Sequence, residues 1–171
     1  MRVAEVIRSS KVVTDWGKWS NDSMGKQVFP LLKRRGACLR YGVSYRWRLI
    51  RFTALGRVFR LLVAYRQDVA EFKAHLAVEQ DADMTVLCSW EYHGTHPGWH
   101  MHVCCEEAAA ITSGIVRPVG AHRLPGSKAK HRLLRFAPPK FASMNDNAAL
   151  AEVSQRFRLD PEDLLSLRVE P

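Results

Sequence analysis

The chain has 171 residues, 47% hydrophobic and 25% charged, which suits one well-buried domain with at most a small appendage. Arg or Lys interrupts every apolar run, so no segment reaches bilayer length, the N-terminus has no uninterrupted apolar stretch of the kind a secretory leader needs, and a cytoplasmic protein is expected. The net charge of +9 is unevenly spread, at +12 over residues 1–66, −7 over 67–116, +7 over 117–140 and −3 over 141–171.

Two basic segments thus flank an acidic one, a distribution suited to a polyanionic partner such as nucleic acid. The cysteines, Cys38, Cys88, Cys104 and Cys105, contain no CxxC and are expected to be reduced thiols rather than a disulfide framework.

In chain order, Ser20 to Arg35 is predicted as a short helix, capped by Ser20 or Asn21, disturbed by Pro30 and stopped at Gly36. Tyr45 to Ala54 and Val58 to Tyr65 are rich in strand formers and read as a hairpin turning at Gly56, with Arg46 and Arg48 on one face and Tyr45, Trp47 and Leu49 on the other. Asp68 to Gln80 reads as an amphipathic helix, with Asp68 as N-cap, Glu71 completing a capping box, and Val69, Phe72 and Leu76 buried. Met84 to Tyr92 and Trp99 to Cys105 read as a second hairpin joined by Gly94 to Gly98. A short strand is expected at His131 to Ala137 and a helix at Ala148 to Phe157. A last short helix is expected from Asp160-Pro161. The fold class that follows is α+β: an antiparallel sheet of two hairpins around an amphipathic helix, in ββαββ order, with helices at the termini. Its parts are a basic, helical segment 1–44, a core 45–140 and a C-terminal helical pair 141–171.

The chemistry concentrates in HGTHPGWHMHV, residues 93–103, which holds four of the seven histidines. If Tyr92 faces Trp99 across the loop, Glu91 faces His100 and Ser89 faces His102. Alternation then puts Glu91, Ser89, His100 and His102 on one face, with His93 in reach, and Trp90, Trp99, Met101 and Val103 on the core face. Two or three imidazoles with a carboxylate make a good divalent-metal site, able to hold a phosphate oxygen as a Lewis acid.

The segment WEYHGTHPGWHMHV resembles the metal-binding hairpin of the HUH endonuclease superfamily, the rolling-circle replication initiators, plasmid relaxases and single-strand transposases. The family's mark is His-hydrophobic-His on a central strand, here His100-Met101-His102. Replication initiators place a Glu shortly before that pair, as Glu91 is placed here. Relaxases place a third His several residues before it, and His93 has the spacing of one mobilisation group. The resemblance implies a divalent metal, manganese or magnesium with zinc as an alternative, on Glu91, His93, His100 and His102. It implies single-stranded DNA as partner and strand cleavage in which a tyrosine hydroxyl attacks the phosphodiester. The chain departs from initiators and transposases in having no tyrosine after Tyr92. The relaxase order leaves Tyr41, Tyr45 and Tyr65, with Tyr65 the first candidate nucleophile and Tyr45 the second.

Other readings stay open. A structural zinc on His96, His100, His102 and Cys104 or Cys105 would draw every ligand from one hairpin, whereas structural sites usually use two separate knuckles. The His-x-His-Pro segment of zinc isopeptidases needs one residue between its histidines, and His93 and His96 have two. The helix–turn–helix look of residues 150–167 suits packing or a protein contact, because Glu162 and Asp163 would face a DNA groove. Arg46, Arg48, Arg51 and Arg60, interleaved with aromatics, suit a single-strand-binding face, with Lys128 and Lys130 adding charge. A non-catalytic nucleic-acid-binding protein is the alternative to the nuclease.

Overall fold

A computed structural model describes residues 2–29, 39–80, 83–93, 99–104, 121–124 and 144–160. The described residues form one antiparallel sheet in simple chain order, β1 (Val12–Asp15), β2 (Arg46–Ala54), β3 (Arg57–Arg66), β4 (Glu71–Gln80), β5 (Asp83–His93), β6 (His100–Cys104) and β7 (Ala121–Leu124). Helix α1 (Val3–Arg8) precedes the sheet and α2 (Asp146–Phe157) follows it. The class is α+β, as expected. Strand β1 comes from the N-terminal basic segment, yet pairs with β2.

The first hairpin forms where alternation predicts it. Leu55 and Gly56 join β2 to β3, both at positive φ, 50° and 70°, as expected of a type I′ turn whose twist matches that of the flanking strands. Arg46 and Arg48 do alternate with Trp47 and Leu49, but neither side of the pair faces water. The Arg48 side holds Ile50 and Phe52 in one core, and Trp47 and Leu49 pack against a second.

The ββαββ order is not what the chain adopts, because Asp68 to Gln80 supplies a strand instead of an amphipathic helix. Val69 is exposed rather than buried. The segment fits both periods, and period two wins. Phe72, Ala74, Leu76 and Val78 face one core while His75 and Ala77 face the other way, all of them buried. Burying a large apolar side chain contributes about 1.5–3 kcal/mol, against helix-propensity differences of at most about 0.7 kcal/mol per ordinary residue. The supposed cap residues serve the hairpin. Arg66 donates to both carboxylate oxygens of Asp68 at 3.0 and 2.5 Å, and Ala70, at φ 48°, closes the turn with its N–H on the Gln67 carbonyl.

Ser20 does not start a helix either. Its backbone exchanges hydrogen bonds with Trp47 at 2.9 and 2.8 Å, and its hydroxyl accepts from the Asp22 N–H at 3.0 Å, a local turn that competes with capping. The following residues cross the sheet and bury Met24 and Phe29. The rest of that predicted helix, the strand at 131–137 and the helix from Pro161 lie outside the described residues.

Both faces of the sheet are covered, which accounts for strands that are apolar nearly throughout. Val3 and Val6 of α1 and Ala149, Val153 and Phe157 of α2 lie on one core with Phe52, Leu61 and Leu76. Met24, Phe29 and Tyr41 cover Leu62, Ala64, Met84 and Val86 on the other. Helix α2 is capped by Asn145, whose side chain accepts from the Ala148 N–H at 2.9 Å. It is docked through Asp146, which accepts from Arg46 Nε at 3.0 Å and Nη2 at 2.8 Å and from the Tyr65 hydroxyl at 2.8 Å. Among the described residues no helix is long and apolar enough to cross a membrane.

Two outcomes follow. Gly17 has φ +64°, and a Cβ there would lie 2.1 Å from the Leu49 carbonyl oxygen, so Gly17→Ala is expected to cost about 2–4 kcal/mol in urea unfolding. Burial pushes the Asp146 carboxyl up, but the Arg46 and Tyr65 hydrogen bonds and the nearby arginine charges outweigh it and hold the group below its ordinary value. That contribution is complete above the unfolded-state value of about 3.9 and is lost as pH falls through the lower folded value. Asp146→Asn is expected to flatten the acid limb of stability against pH, measured by urea titrations at descending pH.

Candidate metal centre

Strands β5 and β6 pair in the register that the hairpin pattern predicts, Glu91 opposite His100 and Ser89 opposite His102. Side chains directly across an antiparallel pair share a face, so two imidazoles and a carboxylate meet without help from any loop. The other face of the hairpin is aromatic. Trp90 and Trp99 stack at 5.3 Å, Phe72 meets Trp99 edge-on at 5.0 Å, and Arg156 sits 3.7 Å above the Trp90 ring. Trp90 Nε1 also donates to Glu152 at 2.9 Å. These contacts fix the hairpin against α2 and hold the ligand face still.

Glu91, His100 and His102 each offer a donor atom, all within 4.8 Å of one another. His100 Nε2 lies 3.8 Å and His102 Nε2 3.9 Å from the same carboxylate oxygen, Glu91 Oε2. Those separations exceed a hydrogen bond. They fit donors on either side of a cation, since two bonds of about 2.1 Å span up to about 4.2 Å. The two imidazole planes are nearly perpendicular, at 86°. Glu91 and His100 are buried, and the His102 side chain is 19% exposed, so the group opens outward at His102. His93 ends β5, its backbone paired with Glu71.

Strand β4 brings further polar groups to this face that sequence reasoning did not assign. Its register places Lys73 opposite Glu91 and His75 opposite Ser89. The Tyr41 hydroxyl lies 2.7 Å from His75 Nε2, and His75 Nδ1 lies 2.7 Å from Ser89 Oγ, with all three residues buried. The signal was hidden because the 68–80 segment read as a helix, which takes His75 out of register with Ser89.

The candidate nucleophiles separate. Tyr65 faces the α2 core and donates to Asp146, so the sheet stands between it and the candidate metal ligands. Burial, with that hydrogen bond, raises its hydroxyl well above the ordinary value. Tyr45 is on the ligand side and donates to Glu71 at 2.5 Å. Burial and the Glu71 carboxylate push its hydroxyl up to about 12, against the opposing Arg66.

The four arginines do not make one binding face. Arg46 pairs with Asp146, and Arg48 is buried, donating to the Trp16 and Gly17 carbonyls at 2.5 and 3.1 Å. Arg51 and Arg60 project from the opposite side and share Glu79 at 3.2 and 2.5 Å. Lys128 and Lys130 lie outside the described residues, as do His96 and Cys105 of the structural-zinc reading.

The chain matches no family model, no curated protein and no solved structure.

A metal bound here stabilises the native chain by mass action. Mn²⁺ or Zn²⁺ at one hundred times its Kd is expected to add about 2.7 kcal/mol to the unfolding free energy. Glu91→Gln is expected to remove most of that gain, as read by thermal unfolding with and without the metal.

Proposed function

We propose that the protein binds one divalent first-row metal through Glu91, His100 and His102 and uses it to engage phosphate oxygens of a nucleic acid, single-stranded DNA first, in phosphodiester cleavage. The observation that carries this reading is the convergence of two imidazoles on one carboxylate oxygen across a single strand pair. Three protein ligands leave room in the coordination sphere for a substrate oxygen. Two imidazoles in a set of three favour manganese, iron or zinc over magnesium, which prefers oxygen and water. The resemblance to HUH hairpins and the basic segments on either side support nucleic acid as the partner. A cytoplasmic setting, as for a protein of a mobile element or phage, fits that partner. Of the two ranked candidates, Tyr45 rather than Tyr65 shares the metal's face, and it replaces Tyr65 as the nucleophile of a tyrosine-mediated reaction; Tyr41, on the same side, is buried with its hydroxyl on His75.

The burial of Glu91 and His100 favours one second reading, a nucleic-acid-binding protein whose metal is structural. One comparison separates the two. Purified protein is loaded with Mn²⁺ or Zn²⁺, assayed for metal by elemental analysis, and incubated with single-stranded and duplex oligonucleotides, beside the His100→Ala/His102→Ala variant. About one metal per chain, lost in the folded variant together with cleavage, is the expected result. Salt-sensitive binding that survives in the variant, with no cleavage by either protein, would establish the non-catalytic reading. Absence of metal from the wild-type protein would sink both.

A further inference from the structure

We infer that Tyr41, His75 and Ser89 form a directional hydrogen-bond chain that positions Glu91 and His102 for the metal, an inference that rests on the metal centre proposed above. The chain crosses three parts of the fold. Tyr41 comes from the segment covering the sheet, His75 from β4 and Ser89 from β5. Both links are 2.7 Å long. Ser89 lies directly across from His102 and two residues before Glu91, on their side of the sheet. The ligands are therefore the residues next in line.

Direction follows from the chemistry of the three groups. A neutral imidazole has one N–H and one acceptor nitrogen. Tyr41 is fully buried, and its hydroxyl is driven well above the ordinary value, first by burial and then by Tyr45, Glu91 and Glu71. It keeps its proton, and His75 Nε2, the hydroxyl's one hydrogen-bond partner among the described residues, is the acceptor in reach of that proton. His75 Nδ1–H then donates to Ser89 Oγ, and the Ser89 hydroxyl keeps a proton to offer the ligand group beside it in register. Burying three polar side chains beside an apolar core is costly unless each is bonded. A sheet that needed only packing here would use Phe, Leu and Ala. A chain of this polarity fixes the orientation of what it ends on, as outer-shell partners of metal ligands do.

The test measures metal affinity, with chelator competition giving the Kd of Zn²⁺ or Mn²⁺ for wild type, Ser89→Ala and Tyr41→Phe. Metal-free circular dichroism and thermal unfolding establish that each variant is folded, and Phe157→Leu, in the opposite core, serves as a destabilised control. Ser89→Ala is expected to weaken binding about 10–100-fold. Tyr41→Phe should weaken it by a smaller factor, with Phe157→Leu unchanged. The nitrogen NMR spectrum of the wild-type protein should show His75 as the Nδ1–H tautomer. Affinity within about twofold of wild type in folded Ser89→Ala and Tyr41→Phe would overturn the inference while leaving the metal centre standing. An Nε2–H tautomer would overturn it even if Ser89→Ala does not fold. A wild-type chain that binds no metal would remove the centre itself and this inference with it.

Discussion

Everything on the ligand face depends on one pairing, Glu91 opposite His100. Strand side chains alternate with period two, so a slip of β6 by one residue would turn the two histidines into the α2 core and bring Trp99 and Met101 out. The register is held from behind. Trp90 and Trp99 are nearly parallel, Phe72 meets Trp99 edge-on, and Glu152 and Arg156 of α2 grip Trp90 by its nitrogen and its ring face. Aromatic pairs of this kind add about 0.5–1.5 kcal/mol each beyond their burial. Packing on one side of the sheet therefore sets the chemistry on the other.

The same two-sided burial changes what the charge count means. The first 66 residues carry a net +12, but several of those arginines spend their hydrogen bonds inside the fold. How each is bonded decides what field remains. Arg46 with Asp146 is close to neutral at a distance. Arg48 donates to two carbonyls, which occupies its Nε and one Nη2 hydrogen and leaves its charge intact. Arg51 and Arg60 share the single carboxylate of Glu79, so that trio keeps one positive charge. Long-range attraction of a polyanion survives these arrangements, whereas the donors these four side chains already commit to protein groups are lost to direct phosphate contact.

The second hairpin was legible because its two strands are short, adjacent and sharply patterned. Glu91, His100 and His102 alternate with Trp90, Trp99 and Met101, and the loop between them carries Gly and Pro. The first hairpin was legible for the same reason. Residues 68–80 were not. Phe72 and Leu76 are four apart, which satisfies a helix, while Phe72, Ala74, Leu76 and Val78 are two apart, which satisfies a strand. Only the neighbouring strands decide between them, and β3 and β5 each offer an apolar edge that β4 fills. That misreading also hid His75, since its partnership with Ser89 exists only between strands. Ser20 misled for a different reason, because a serine hydroxyl that caps helices closes local turns equally well.

The burial gradient across the ligand group bears on how a metal there would act. Glu91 and His100 lie in a water-poor region and His102 lies nearer the surface. Charge interactions strengthen as the effective dielectric falls, so a dication there would attract Glu91 more strongly than on a solvated surface, against the cost of its own dehydration. Two neutral imidazoles and one carboxylate leave a dication with a net positive charge. A buried positive charge favours an anionic further ligand, and a phosphate oxygen approaching past His102 would supply one. With zinc, closure by a fourth protein ligand would leave no coordination position for the anion, and an anionic fourth ligand would cancel the residual charge as well. The number and charge of the ligands, more than their identity as histidines, are what would suit a metal on this hairpin to the phosphate substrate proposed for it.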